Sequence, residues 1–398
     1  SVIEEFNVIA TGAIMSGYFI GYFFGANMIP NLVGKVGHIR VFAAFASMAS
    51  LSILLHAVFV NPYIWIFGRF ITGLSLIGVY IVVESWLNDR ANNRNRGQVL
   101  SIYMFITFTG LALGTLLLNF SSPEKYEPFI LISLLLSLAL VPILLTKRKA
   151  PKFKKLGSLS IKNLYKISPL AAVSMFCNGF IHSAIFTLAA VYAASMNFTI
   201  FEISLLIFLI SFAGGVFQWP IGFFSDKSDR RMIIIFCTFA ASIFCILAIY
   251  ASGTSLQNMY LATSVGVDKI MFFIYATFYA GMALPLFTLT LAYINDYIPK
   301  EKFVAAGAGL QIIFGIGAMI GPLFCTLLMI KFGTNGFFIH LFIFHVIIGL
   351  FGMFRITKRP YKDNPESTFT PLPRNITPLG IELDPTTGTD ISSTDKNK

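Results

Sequence analysis

The amino-acid sequence predicts an all-α polytopic membrane protein, and three observations carry that prediction. The 398-residue chain is 56% hydrophobic and only 12% charged, about half the charged fraction of an ordinary soluble domain. Its mean hydropathy of +0.77 is too high for a surface that meets water on every side. Its apolar segments run without alternation for about 20 residues, the length that crosses a bilayer as a helix. A backbone in lipid must satisfy its own hydrogen bonds, which leaves helices or a closed barrel. Continuous runs select helices.

Eleven spans follow from those runs, at about 6–28, 41–60, 63–87, 98–120, 128–146, 169–194, 202–224, 232–251, 270–294, 303–330 and 337–356. The second and third are joined only by Asn61-Pro62, a tight hairpin. The four cysteines, Cys177, Cys237, Cys245 and Cys325, all fall inside apolar runs without metal-ligand spacing, so they read as small core residues and no metal or cofactor is expected. From about Thr357 the composition shifts to Pro, Thr, Asp and Asn, which predicts a disordered tail over 357–398.

The net charge of +11 could point to nucleic acid, but its placement points to a membrane. The loops 29–40, 88–97, 147–168, 225–231 and 295–302 and the tail start 355–362 together hold 22 Lys or Arg. The alternate loops hold Lys125, Lys269 and Lys331. By the positive-inside rule the first set is cytoplasmic, as is the tail, and the charge serves topology and lipid contact instead of nucleic-acid binding. The resulting domains are an N-terminal bundle over 1–146, a basic linker over 147–168, a C-terminal bundle over 169–356 and the tail.

The two bundles repeat one another weakly. Gly34-Lys35 after the first span matches Asp226-Lys227 after the seventh at an offset of 192, and Gly110-x-x-x-Gly114 matches Gly317-x-x-x-Gly321 at 207. The difference corresponds to the longer loop around Ser252–Asp268. Projected back by 192, the span 169–194 falls ahead of Ser1. The expectation is therefore two six-helix bundles with 11 of 12 transmembrane helices present and the first one missing.

Gly222-Phe-Phe-Ser-Asp226-Lys227-Ser-Asp229-Arg230-Arg231 resembles the cytoplasmic loop signature of the major facilitator superfamily (MFS), with Asp229 where glycine is usual. The first-half copy, Pro30 to Arg40, keeps Lys35, Gly37 and Arg40 but has Gly34 in place of the aspartate. Arg69-Phe-Ile-Thr-Gly73 resembles the family's R-x-x-x-G on its fourth helix, and Arg96-Gly97 its following loop. The fifth-helix signature is partial: Pro322 follows the second glycine in one half, whereas Thr115 stands there in the other. Val82-Val-Glu84-Ser and Gln218-Trp-Pro-Ile-Gly222 look like a bacterial branch of unassigned substrate. The resemblance covers residues 6–356 and implies a bacterial inner (plasma) membrane transporter in which these loops hold a cytoplasmic gate.

Arg69 lies about 9 Å inside its span, at 1.5 Å per residue. An intramembrane arginine is costly unless paired or hydrated, which reads either as coupling to protons or substrate or as a structural contact. Glu84, about 22 Å further along, is placed as a gate partner of Lys35, Arg94 or Arg96, or as a proton carrier. The family's central cavity is lined by its first, fourth, seventh and tenth helices. Ser174, Asn178 and His182 share one face of the span 169–194, and Tyr275 and Tyr279 share one face of 270–294. With Gln218, these are the candidate substrate or proton-coupling residues; the alternative for His182 is a packing histidine bonded to a neighbouring helix, for the tyrosines a core or lipid-facing aromatic stripe, and for Gln218 a bond to a carbonyl freed by Pro220. Gly110, Gly114, Gly317, Gly321 and Pro322 are candidate helix-packing positions.

The function expected is secondary active transport of a small solute by alternating access, coupled to protons, by a monomer in the lipid bilayer. No clustered His, Asp or Glu and no phosphate loop is present, so no enzyme activity is expected. The alternative is a non-transporting receptor or scaffold on the same fold.

Overall fold

The computed structural model describes residues 3–92, 95–122, 124–145, 157–252, 268–360, 367–373 and 375–387, and the described residues contain helices and no strand. The first half comprises α1 (Val8–Val36), α2 (His38–Val58), α3 (Pro62–Arg90), α4 (Arg96–Leu116) and α5 (Glu127–Leu144). A short α6 (Ile161–Ile167) precedes the second half: α7 (Pro169–Ser195), α8 (Ile200–Asp226), α9 (Arg230–Ala251), α10 (Lys269–Ala283), α11 (Leu286–Asn295), α12 (Phe303–Phe332) and α13 (Gly336–Lys358). A single turn, α14 (Pro378–Ile381), lies in the tail.

Among the described residues, ten helical stretches are long and apolar enough to cross a membrane. One of them, Lys300–Lys358, has 59 residues, more than twice what a bilayer accommodates. It doubles back at Gly333, whose φ of +63° is left-handed, so α12 and α13 cross separately and the eleven expected crossings are all present. The span 270–294 differs from expectation in one respect. It is two helices, interrupted at Leu284-Pro285, because proline lacks the N–H that the ladder needs and its ring crowds the preceding turn.

Helix ends follow local chemistry. Asn7 accepts the Ala10 N–H at 2.6 Å to start α1, and Gly37, at φ +95°, turns α1 directly into α2. Asn61 accepts the Tyr63 N–H at 2.9 Å with Pro62 at the first helical position, where its missing N–H has no cost. Thr199 and Glu202 form a capping box on α8.

The two halves share one packing plan. In the first, α1 and α2 lie along α3, and α5 along α2; in the second, α8 and α9 lie along α10, and α13 along α9. The halves meet through α1 against α12 and α4 against α8. Backbones touch where glycines allow it: a Cβ on Gly21 would fall on the Phe70 carbonyl, and one on Gly73 on that of Tyr18. In the second half α7 packs on α12 and α13, and Gly317 and Gly321 face Phe176, Phe180 and Ser183 of α7. The corresponding faces of α4 and α5 are uncovered. A Cβ on Gly110 or Gly114 would meet nothing within 4 Å, and Ser133 is the one buried residue of α5. The four cysteines are buried and free.

The tail corrects an expectation. Composition predicted disorder over 357–398; residues 388–398 and 361–366 lie outside the described residues, but 367–373 and 375–387 fold back into the bundle. Leu372, Ile376, Ile381 and Leu383 are at most 5% exposed, each burial contributing about 1.5–3 kcal/mol. Composition measures what a segment can bury by itself. Here the helices supply both the apolar walls and the polar partners.

Candidate functional site

A cavity of about 380 Å³ lies where the halves meet, between α1, α3 and α12. Tyr18, Tyr22 and Asn27 of α1, Ile77 and Ile81 of α3, and Gln311 and Phe314 of α12 contribute its walls. Residues 375–379 of the tail form one side. No charged side chain is found among its described lining residues. The surface is aromatic and aliphatic with a few hydroxyl and amide groups, the composition of a site for a solute with both apolar and hydrogen-bonding parts.

The sequence candidates surround this cavity unevenly. His182 is buried on α7 and packs its ring edge-on against Phe314 at 5.7 Å between centroids, so one aromatic ring separates it from the cavity. Asn178, one turn away, is fully buried, and neither atom of its amide has a hydrogen-bond partner among the described residues. Ser174 continues that face, also buried and without a partner for its hydroxyl. A stripe of this kind inside a bundle is a place where water or a polar ligand is stabilised. Arg69 stands on α3 beside α1, with Met15 Sδ 3.5 Å from Nη2 and no carboxylate in an ion pair with it among the described residues. Gln218 is buried on α8, and its Oε1 accepts the Leu372 N–H at 3.2 Å and the Thr288 hydroxyl at 3.4 Å. Tyr275 and Tyr279 do not line the cavity. Tyr279 is turned into the second half, with its hydroxyl 3.2 Å from His345 Nε2, and Tyr275 packs on the core.

Glu84 is fully buried on α3, and its surroundings differ from the ion pair expected. Neither Lys35 nor Arg96 pairs with it, and Arg94 lies outside the described residues. Tyr103 of α4 donates to Oε1 at 2.8 Å. Oε2 accepts the N–H groups of Thr377 and Gly380 at 2.9 and 3.0 Å, together with the Thr377 hydroxyl. The carboxylate acts as an anchor for tail backbone, much as a capping carboxylate gathers N–H groups at a helix start. Asn88, one turn on, donates to the Leu379 carbonyl.

The basic end of the second half is a dense network. Arg230 is 5% exposed and donates to Asp226 at 2.6 Å, to Asp296, to the Ser367 hydroxyl at 2.8 Å and to the Ser367 carbonyl. Arg231 grips Asp229 through Nε at 3.0 Å and Nη2 at 2.6 Å, and donates to the Arg359 carbonyl at 2.6 Å. Asp229, the departure from the family's glycine, also caps α9 by accepting the Arg231 N–H at 2.9 Å. Lys227 lies over the Phe223 ring at 3.9 Å, and Gly222 leaves room for Phe369 of the tail. The first-half copy is sparse by comparison. Lys35 and Arg40 are exposed and form no ion pair among the described residues. In its place His38 Nε2 lies 2.9 Å from the Ser85 hydroxyl, both buried.

Sequence reasoning did not single out Tyr22, Asn88, Tyr103, Gln311 or Asp296. Gln311 carried a usable signal, as a lone amide inside the apolar run 303–330. Tyr103 and Asn88 carried none: Tyr103 meets Glu84 only through the approach of α4 to α3, and Asn88 bonds a tail carbonyl 291 residues away.

The sequence profile of the Major Facilitator Superfamily matches residues 1–285 and again 171–386. The MFS-type transporter YcaD of Escherichia fergusonii is 24% identical over 330 residues, covering 82% of each chain. YcaD of Escherichia coli K12 is 24% identical over 340 residues, 84% of each. Among solved structures, a mutant of the nucleoside transporter NupG superposes with a TM-score of 0.72 at 14% identity, covering 88% of this chain and 92% of that one.

Proposed function

Since this chain belongs to the Major Facilitator Superfamily, we propose that it carries a small solute through the passage between its halves by alternating access, coupled to protons. The observation that supports this reading best is the 380 Å³ cavity at the junction of α1, α3 and α12. It lies between two bodies that share one packing plan and meet mainly through α1 against α12 and α4 against α8. Such an interface lets one bundle rock against the other around a central site.

The uncharged lining favours a neutral solute with an apolar face and several hydrogen-bonding groups. Tyr18, Tyr22 and Gln311 would meet it first, and Asn178, Gln218 and His182 would bind it or the water that travels with it. Tyr275 and Tyr279 would act from behind, by positioning α10. Arg69 and His182 are the proposed coupling groups, because both are ionisable and lie within apolar helices long enough to cross a membrane. Glu84 is a further carboxyl that could hold a proton. The loops of Lys35, Gly37, Arg40, Arg96, Gly222, Asp226, Lys227, Arg230 and Arg231 would form the gate at the basic end, which the positive-inside rule places in the cytoplasm of a bacterial inner membrane. The working unit would be a monomer.

Reconstitution into proteoliposomes tests the reading. Nucleosides, sugars, amino acids and amphipathic drugs would be offered with and without an imposed pH gradient. Accumulation of one class that follows the gradient is expected. Binding of a solute without any flux would replace transport by a receptor role.

A further inference from the structure

The tail sits inside the passage and bridges both halves. From Ser367, held by Arg230, it reaches Phe369, whose N–H donates to Asp226 at 2.8 Å, and Leu372, whose N–H donates to Gln218. Crossing toward the first half, Asn375 accepts from the Tyr22 hydroxyl at 2.8 Å and Ile376 from the Gln311 amide at 2.5 Å. Thr377 and Gly380 then close on Glu84. Donors and acceptors from α1, α3, α8 and α12 thus read the tail's backbone, and Ile376 and Leu379 fill apolar places at 2% and 8% exposure.

We propose that the face formed by Tyr22, Glu84, Asn88, Gln218 and Gln311 is a binding site for a polypeptide segment that ends in a capped turn, and that its occupant is this chain's own tail, residues 367–373 and 375–387. Seated, the segment closes the passage from the basic end and ties the halves together. Unseated, it frees the same polar groups to face a solute. The recognition is of backbone: Glu84 gathers N–H groups, while Tyr22, Gln311 and Asn88 donate to carbonyls. Rocking of the halves requires the bonds to one of them to break, so solute access and tail seating exclude one another. This part of the proposal rests on the transport reading of the cavity, whereas the seating itself does not.

The test needs no solute. Ala308, which lines the cavity, is replaced by cysteine, and its labelling by a bulky water-soluble maleimide is timed in detergent against the parent protein, whose own cysteines are buried. Gly380→Val places methyl groups against the Glu84 carboxyl and Ile376, so it evicts the tail without altering any of the long apolar helices. A second protein is truncated after Pro360. Labelling tracks the fraction of time the site is open, so both changes should speed it about tenfold or more. A synthetic peptide of residues 367–387 should slow it again in the truncated protein. Equal labelling rates in all three proteins, each monodisperse on a sizing column, would overturn the proposal, as would a peptide without effect. Should the protein move no solute in proteoliposomes, these rates would still decide whether the tail is seated.

Discussion

Replacing Arg230 by Met should destabilise the protein severely, and replacing its partner as well should recover much of the loss. Arg230 is buried and serves Asp226 at 2.6 Å, Asp296 and both polar groups of Ser367. Asp296 is itself only 4% exposed, so Arg230→Met strips the guanidinium from a carboxylate that water cannot reach. Removing one member of a buried pair costs about 3–5 kcal/mol, while exchanging both for apolar residues of similar volume is close to neutral. Asp226 is a third exposed, and its share is discounted for solvent screening. The cost of Arg230→Met should therefore lie near 3 kcal/mol, and Arg230→Met with Asp296→Leu near 1 kcal/mol. The measurement is thermal unfolding in one detergent, for the two single variants, the double variant and the parent, all at one heating rate because membrane proteins often unfold irreversibly. A double variant no more stable than Arg230→Met would refute the argument. It would mean that the pair contributes geometry to the tail and α11 and not charge compensation.

Three further predictions use other parts of the molecule. Arg69→Ala and His182→Ala should each abolish uptake driven by a pH gradient and spare solute exchange at equal pH; equal loss of both activities would remove them from coupling. Gly73→Val should prevent the α1–α3 contact, since its side chain would fall on the Tyr18 carbonyl, and the loss should be at least about 3 kcal/mol, read as failure to recover monodisperse protein. Asp384, beyond the membrane spans, is buried against Thr370 and Thr386, and burial raises its pKa above the ordinary value of 3.8 despite those bonds and Arg96. The turn Lys300–Lys302 lies beside the turn Pro385–Thr387 that follows Asp384. A carboxyl with a raised pKa binds protons better in the seated tail, so seating is favoured in acid and weakens as the pH climbs through the seated pKa. Labelling of Ala308→Cys should accelerate over that range, and Asp384→Asn should remove the pH dependence.

Much of the fold was legible because the bilayer imposes a length and a polarity on each segment. The run at 169–194 is apolar enough to be placed by length alone, and α7 does occupy Pro169–Ser195. The loop Asp226 to Arg231 was legible as a charge network, because aspartate and arginine two to four residues apart at a helix junction have few other places to bond. What escaped was decided at long range. Tyr279 shares a helical face with Tyr275, as periodicity requires, but His345 on α13 determines where its hydroxyl goes. Glu84 has cations nearby in sequence, yet backbone N–H groups from Thr377 and Gly380 reach it first. A tail rich in Pro and Thr has no amphipathic period, so nothing local reveals that Leu372, Ile376 and Leu383 find buried places. The break at Pro285 was visible as a residue but not as an event, since many membrane helices carry a proline without parting.

The interruption at Leu284-Pro285 gives the two halves different mechanics. Pro285 offers no N–H to the carbonyl of Gly281, so the α10–α11 crossing has a soft joint in mid-span. Its first-half counterpart, α3, is unbroken over 29 residues and is keyed to α1 where Gly21 and Gly73 let the backbones touch. A load applied across the interface would bend the compliant member before the stiff one. The first half would then behave as the anvil and the second as the spring, and the distortion of each cycle would concentrate at one proline instead of being shared between the repeats.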